Sequence, residues 1–258
     1  YEGRVTMVGN FSEAFAGIFS GLLAVYSLRF PFYVQSGIAF IGIPAAIALT
    51  EHAAKTRIKN SFANIMKIIQ YSLFTNKELC YNIMFSGVIG AATLTMAWFV
   101  QPLLIELDTP TSWFGIIWTI LNLTVGISAL YSDKLDQRLG SLRMYAFILF
   151  FIVGGYIAVA FNISYVGLIC LFFFYIVRGF ATPILKGYIN QITFSEMRAT
   201  VLSIRNFVIR LMFAAMAPLV GWLHDLYSLS IALQATAVII FVPGLLFLIL
   251  QWRYSKKV

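Results

Sequence analysis

Eight apolar stretches, at roughly 7–28, 30–50, 79–101, 111–131, 143–161, 164–187, 199–223 and 228–251, take up most of this 258-residue sequence. A hydrocarbon core about 30 Å thick is crossed by roughly 20 mostly apolar residues of helix, rising about 1.5 Å each. The sequence supplies that length eight times. With 60% hydrophobic residues, 11% charged residues and a mean hydropathy of +0.87, it has too little polar surface to cover a soluble globule. The expected fold class is an all-α integral membrane protein with eight transmembrane helices, its lipid-facing surface covered by the bilayer.

The formal charge of +8 does not point to nucleic acid, because the Lys and Arg residues sit in short segments between apolar spans. They act as topology signals. One side of the membrane receives Arg4, then Lys55, Arg57, Lys59, Lys67 and Lys77, then Lys134, Arg138 and Arg143, then Lys186, Arg198 and Arg205, and lastly Arg253, Lys256 and Lys257. The other receives Arg29 alone. Short loops rich in Lys and Arg stay on the cytoplasmic side, so both chain ends are expected in the cytoplasm, in a cytoplasmic (inner) cell membrane.

Cys80 and Cys170 fall toward opposite faces, which excludes a disulfide, and no cluster has metal-ligand spacing. No cofactor or metal is expected. Position 1 is Tyr, without a charged n-region or a small-residue cleavage site after it, so no signal peptide is read and the chain is expected to lack its true N-terminus.

The long connection from Glu51 to Glu78 divides the spans two and six. Within it Phe62, Ile65, Met66, Ile69 and Leu73 recur at helical spacing beside Lys59 and Lys67, which predicts a short helix on the cytoplasmic membrane surface. Three parts follow: 1–52 with two helices, 53–77 as a cytoplasmic linker, and 78–258 as a six-helix bundle.

Three local patterns carry a family resemblance. Gly126 to Arg143, GISALYSDKLDQRLGSLR, is similar to the cytoplasmic loop motif of the major facilitator superfamily in its degenerate second copy, with Asp133, Lys134, Arg138, Gly140 and Arg143 matching loosely. Arg178 to Asn190, RGFATPILKGYIN, followed by Arg198 to Ser203, RATVLS, resembles the family's tenth helix, its loop and the start of the eleventh. Pro218 to Asp225, PLVGWLHD, looks like the outer end of the eleventh. The resemblance implies helices five to twelve of a transporter of two six-helix bundles: the last two helices of the N-terminal bundle and a complete C-terminal bundle. It further implies a monomer that moves a small-molecule substrate by alternating access, coupled to protons, with efflux favoured. Eight spans alone are expected to be inactive.

Polar groups within the spans are the candidate site. Arg178 lies about fourteen residues into its span, too deep to snorkel, where a charge requires a cavity or a partner. It either binds an anionic or polar substrate group or pairs with backbone carbonyls. Glu13 is the one acid well inside a span, and it serves either as a proton site or as a cytoplasmic gate contact to Lys186 or Arg210. Asp133, with Arg138, is a cytoplasmic latch candidate through the free N–H groups at the start of the helix near Ala199, which a Thr193–Glu196 capping box is expected to open. Asn82, Trp98, Gln101, Asn122, Thr182 and Asn206 lie on helices that line the cavity in the family, although interhelical hydrogen bonding and interface anchoring are the usual work of such residues. Glycines at Gly17 to Gly21 and Gly87 to Gly90 predict close helix packing.

No enzymatic activity is expected. Two alternatives remain open: a multispan acyl or glycosyl transferase, which needs clustered catalytic groups at one face although His52 and His224 fall on opposite faces, and an uncoupled channel or scaffold.

Overall fold

The computed structural model of the chain describes residues 2–27, 29–48 and 62–255, and the regular structure among them is entirely helical. Its helices are α1 (Glu2–Tyr26), α2 (Phe30–Ile47), α3 (Phe62–Gln70), α4 (Lys77–Glu106), α5 (Thr111–Leu130), α6 (Ser132–Leu139), α7 (Ser141–Phe161), α8 (Tyr165–Gln191), α9 (Arg198–Leu226) and α10 (Leu229–Ser255). Six of them, α4, α5 and α7 to α10, are long and apolar enough to cross a membrane, which is the architecture of a multi-pass membrane protein. Eight were expected. α1 is long, but Glu2, Arg4, Asn10 and Glu13 lower its hydropathy, and the apolar part of α2, Phe30–Pro44, is short.

Local chemistry sets the helix ends. Asn76 follows a π-helical turn, Tyr71–Thr75, and caps α4 by accepting a hydrogen bond from the Leu79 N–H at 3.0 Å. Ser164 caps α8 in the same way through the Val166 N–H, at 3.2 Å. Gly140, at a φ of +75°, breaks α6 from α7 in a conformation that suits glycine. The segment read as an open loop around Asp133 is therefore a short helix and a sharp turn. The Thr193–Glu196 capping box is not formed: Met197 holds the N-cap of α9 without a side-chain bond, and the Thr193 hydroxyl donates instead to the Ile189 carbonyl at 2.6 Å.

α4 is the hub of the six-helix unit, in contact with α7, α8, α9 and α10. Its most apolar stretch is 72% buried, whereas that of α9 is 11% buried. The predicted close approaches hold: a side chain at Gly87 would meet Val208 and Met212, and one at Gly90 would meet Ile209, so α4 and α9 approach with almost no space between them. α1 docks along α5 and touches α8, and α2 packs on α1.

The predicted linker helix is present as α3, but its apolar stripe divides. Phe62, Ile65 and Met66 are exposed, while Ile69 and Leu73 pack against the cluster of Leu79, Ile83, Ile189 and Val201 at the start of α4 and the α8–α9 turn. His52, Lys55, Arg57 and Lys59 lie outside the described residues, as do Lys256 and Lys257. Cys80 and Cys170 are both free thiols.

Candidate functional site: polar groups where α1, α5 and α8 meet

The register of three helices follows from their closest contacts. α1 is antiparallel to α5: Gly3 lies against Ala129 and Ser132, Gly126 against Met7 and Phe11, and Gly21 against Gly115. Between these the Thr119 hydroxyl donates to the Ala14 carbonyl at 3.1 Å. α8 is parallel to α5, with Gly179 against Val125 and Ser128. Glu13, Asn122, Tyr175 and Arg178 therefore come to one level, and Arg178 is the fourteenth of the 27 residues of α8, at mid-span.

At that level polar atoms are left without partners. The Arg178 guanidinium lies over the Tyr175 ring, 5.1 Å from its centroid. It is close to the Tyr175 hydroxyl but lacks hydrogen-bond geometry toward it, and both Nη1 of Arg178 and the buried hydroxyl are unpaired. Asn122 is fully buried; its amide nitrogen donates to the Trp118 carbonyl at 3.0 Å, and its Oδ1 accepts nothing. An unpaired buried polar atom costs about 1–3 kcal/mol, and three of them lie at this level. Tyr156 closes the side toward α7, its hydroxyl donating to the Ala92 carbonyl at 2.6 Å and its ring set edge-on to Phe174. Glu13 is exposed on α1 and within electrostatic reach of Tyr175. One turn beyond Arg178, the Thr182 hydroxyl donates to the Arg178 carbonyl at 3.3 Å. Arg178 and Asn122 thus share a level with Glu13, and Thr182 lies one turn along α8 from Arg178.

The other cavity candidates stand apart. Trp98, 65% exposed, and Gln101 lie on the outward stripe of α4. Asn206 and Arg210 are exposed on α9, where Asn206 accepts from Nη1 of Arg205 at 3.3 Å. No hydrogen bond or ring contact among the described residues ties any of them to Arg178.

A second assembly sits at the Lys- and Arg-rich end. Lys186 pairs with Glu2 at 2.6 Å rather than with Glu13, and the Glu2 Oε1 accepts from the Asn190 amide at 3.0 Å. Lys186 and Asn190 are one turn apart on α8, so together they hold the first residue described on α1. Arg198 caps the end of α8 by donating to the carbonyls of Asn190 at 3.2 Å and Thr193 at 3.5 Å. Arg205 is buried, donates from Nε to the Ser86 hydroxyl at 2.5 Å, and is within electrostatic reach of Glu2. Asp133 and Arg138 are exposed on α6, and α6 is tied to α8 by Asp136, which accepts from the Tyr188 hydroxyl. Sequence reasoning missed Glu2, Asn190, Arg205 and Tyr175. Glu2 and Arg205 looked like flanking charges of helix ends, and only the antiparallel docking of α1 places Glu2 over α8.

Two grooves open on the outer surface, one between α7 and α10 beside Arg143 and Trp252, the other between α7 and α8 beside Cys170 and Phe173. Both are apolar, and neither includes a predicted site residue. No His, Cys, Asp or Glu cluster among the described residues has the arrangement of a metal site. No protein-family model matches the sequence, and no curated protein does.

Proposed function

We propose that the chain is part of a secondary active transporter of the major facilitator type, moving a small solute across the cytoplasmic membrane by alternating access. The observation that carries this reading is the cluster of unpaired polar atoms of Arg178, Tyr175 and Asn122 at mid-span, where the two-helix unit meets the six-helix unit. A carrier needs such a site midway between the two faces.

On this reading α1 and α2 belong to one bundle and α4, α5 and α7 to α10 to the other. The Glu2–Lys186–Asn190 contact is then a latch between bundles at the cytoplasmic end, which breaks each time that end opens. The Lys- and Arg-rich end faces the cytoplasm, with both chain ends there. Glu13 is the proton-coupling acid, since it lies at the level of Arg178 and no other acid among the described residues lies so far inside a helix. Export is the favoured direction. The protein works without enzymatic chemistry, as a monomer.

Proton-gradient-driven flux in vesicles carrying the full-length protein tests the proposal. Arg178→Ala and Glu13→Gln are expected to abolish gradient-driven flux while leaving folding intact. Unchanged flux in both would remove these residues from the mechanism, and no flux in the wild type across a broad solute panel would reject transport.

A further inference from the structure

We infer that the Arg178 cluster takes a small monocarboxylate that carries its own neighbouring hydroxyl or amine donor. The three unpaired atoms define that chemistry. Nη1 of Arg178 and the Tyr175 hydroxyl are two donors side by side on α8, spaced by less than one turn, and two donors match the two oxygens of one carboxylate. The cluster holds one guanidinium, which balances one negative charge; a phosphate dianion would remain uncompensated in this setting. Oδ1 of Asn122 is an acceptor, because its own amide nitrogen is held by the Trp118 carbonyl, which fixes which way the amide faces. It is matched only by a donor on the ligand.

This inference rests on the transporter reading only in placing the cluster on a solute path.

Binding is measured on the full-length protein in nanodiscs, at fixed pH and matched ionic strength, as the shift of the unfolding midpoint with ligand concentration. The probes are acetate, glycolate, acetamide and inorganic phosphate. Glycolate is expected to bind about tenfold more tightly than acetate, through Asn122, and acetamide and phosphate to give no shift. Arg178→Gln is expected to remove carboxylate binding, and the isosteric Tyr175→Phe to weaken it about tenfold. Should Arg178→Gln fail to fold, Tyr175→Phe alone decides. The inference is overturned if acetamide or phosphate binds as well as glycolate, if no carboxylate binds, or if folded Tyr175→Phe binds glycolate like the wild type. Carboxylate binding without any flux would reject transport and leave this inference standing; gradient-driven flux that survives Arg178→Gln would do the reverse.

Discussion

Tyr145 and Asn82 show how one residue holds two helices in register. The Tyr145 hydroxyl on α7 donates to Oδ1 of Asn82 on α4, whose amide nitrogen is bonded to the Glu78 carbonyl at 2.9 Å. Both are buried, and the Tyr145 ring stands edge-on to Phe85. Tyr145→Phe removes the donor and strands Oδ1, so a loss of about 1–3 kcal/mol is expected in unfolding experiments, against near-neutrality if Asn82 is reached by water. The Glu2–Lys186 pair is more exposed, with side chains 21% and 31% accessible, and screening limits it. A double-mutant cycle of Glu2→Gln and Lys186→Met is expected to give a coupling of about 1 kcal/mol or less. A coupling of zero would mean that Asn190 alone holds Glu2.

Among the elements, α4 and α9 are joined by absent side chains as much as by present ones. Gly90→Val drives a branched side chain into Ile209, whose carbons lie about 2.7 Å from where its Cβ would be, and is expected to destabilise by about 1–3 kcal/mol. Gly9→Ala meets nothing and is expected to be neutral or to stabilise α1 by up to about 1 kcal/mol. Thermal unfolding of the two variants side by side tests whether these interfaces are as close as described.

The long helices were legible because apolar length alone specifies them, and the glycine contacts because small residues have one evident use in a membrane. α6 was not: its eight residues include Asp133, Lys134, Asp136 and Arg138, a composition that reads as a solvated loop, and only Gly140 marks where it stops. Arg178 and Asn122 were legible as polar groups out of place. Tyr175 was not, since a tyrosine in a span is ordinary until its hydroxyl is seen to lack a partner. Glu2 was hidden for another reason. Its partner is 184 positions away on α8, a separation no local pattern encodes.

For the whole molecule, the two ends differ in the job their charges do. At the acidic end His224 lies 3.9 Å from Glu106, which joins α9 to α4, and 3.4 Å from Asp225 on its own helix, so both contacts stay within the six-helix unit. At the basic end Glu2 reaches from α1 to α8, across the division between units. Polar residues Ser203, Asn206 and Arg210 also line the outward stripe of α9, and an exposed Arg at mid-span is not a lipid-facing choice. On the proposed function that stripe faces the solute path. Separation of α1 from α8 at the basic end is the movement on which the whole account depends. Spin labels on Arg4→Cys and Gln191→Cys, both exposed at that end, report it as a distance distribution once Cys80 and Cys170 are replaced. Two distances are expected in the full-length protein, with Glu2→Gln shifting the population toward the longer one. A single distance, unchanged by Glu2→Gln, would contradict it.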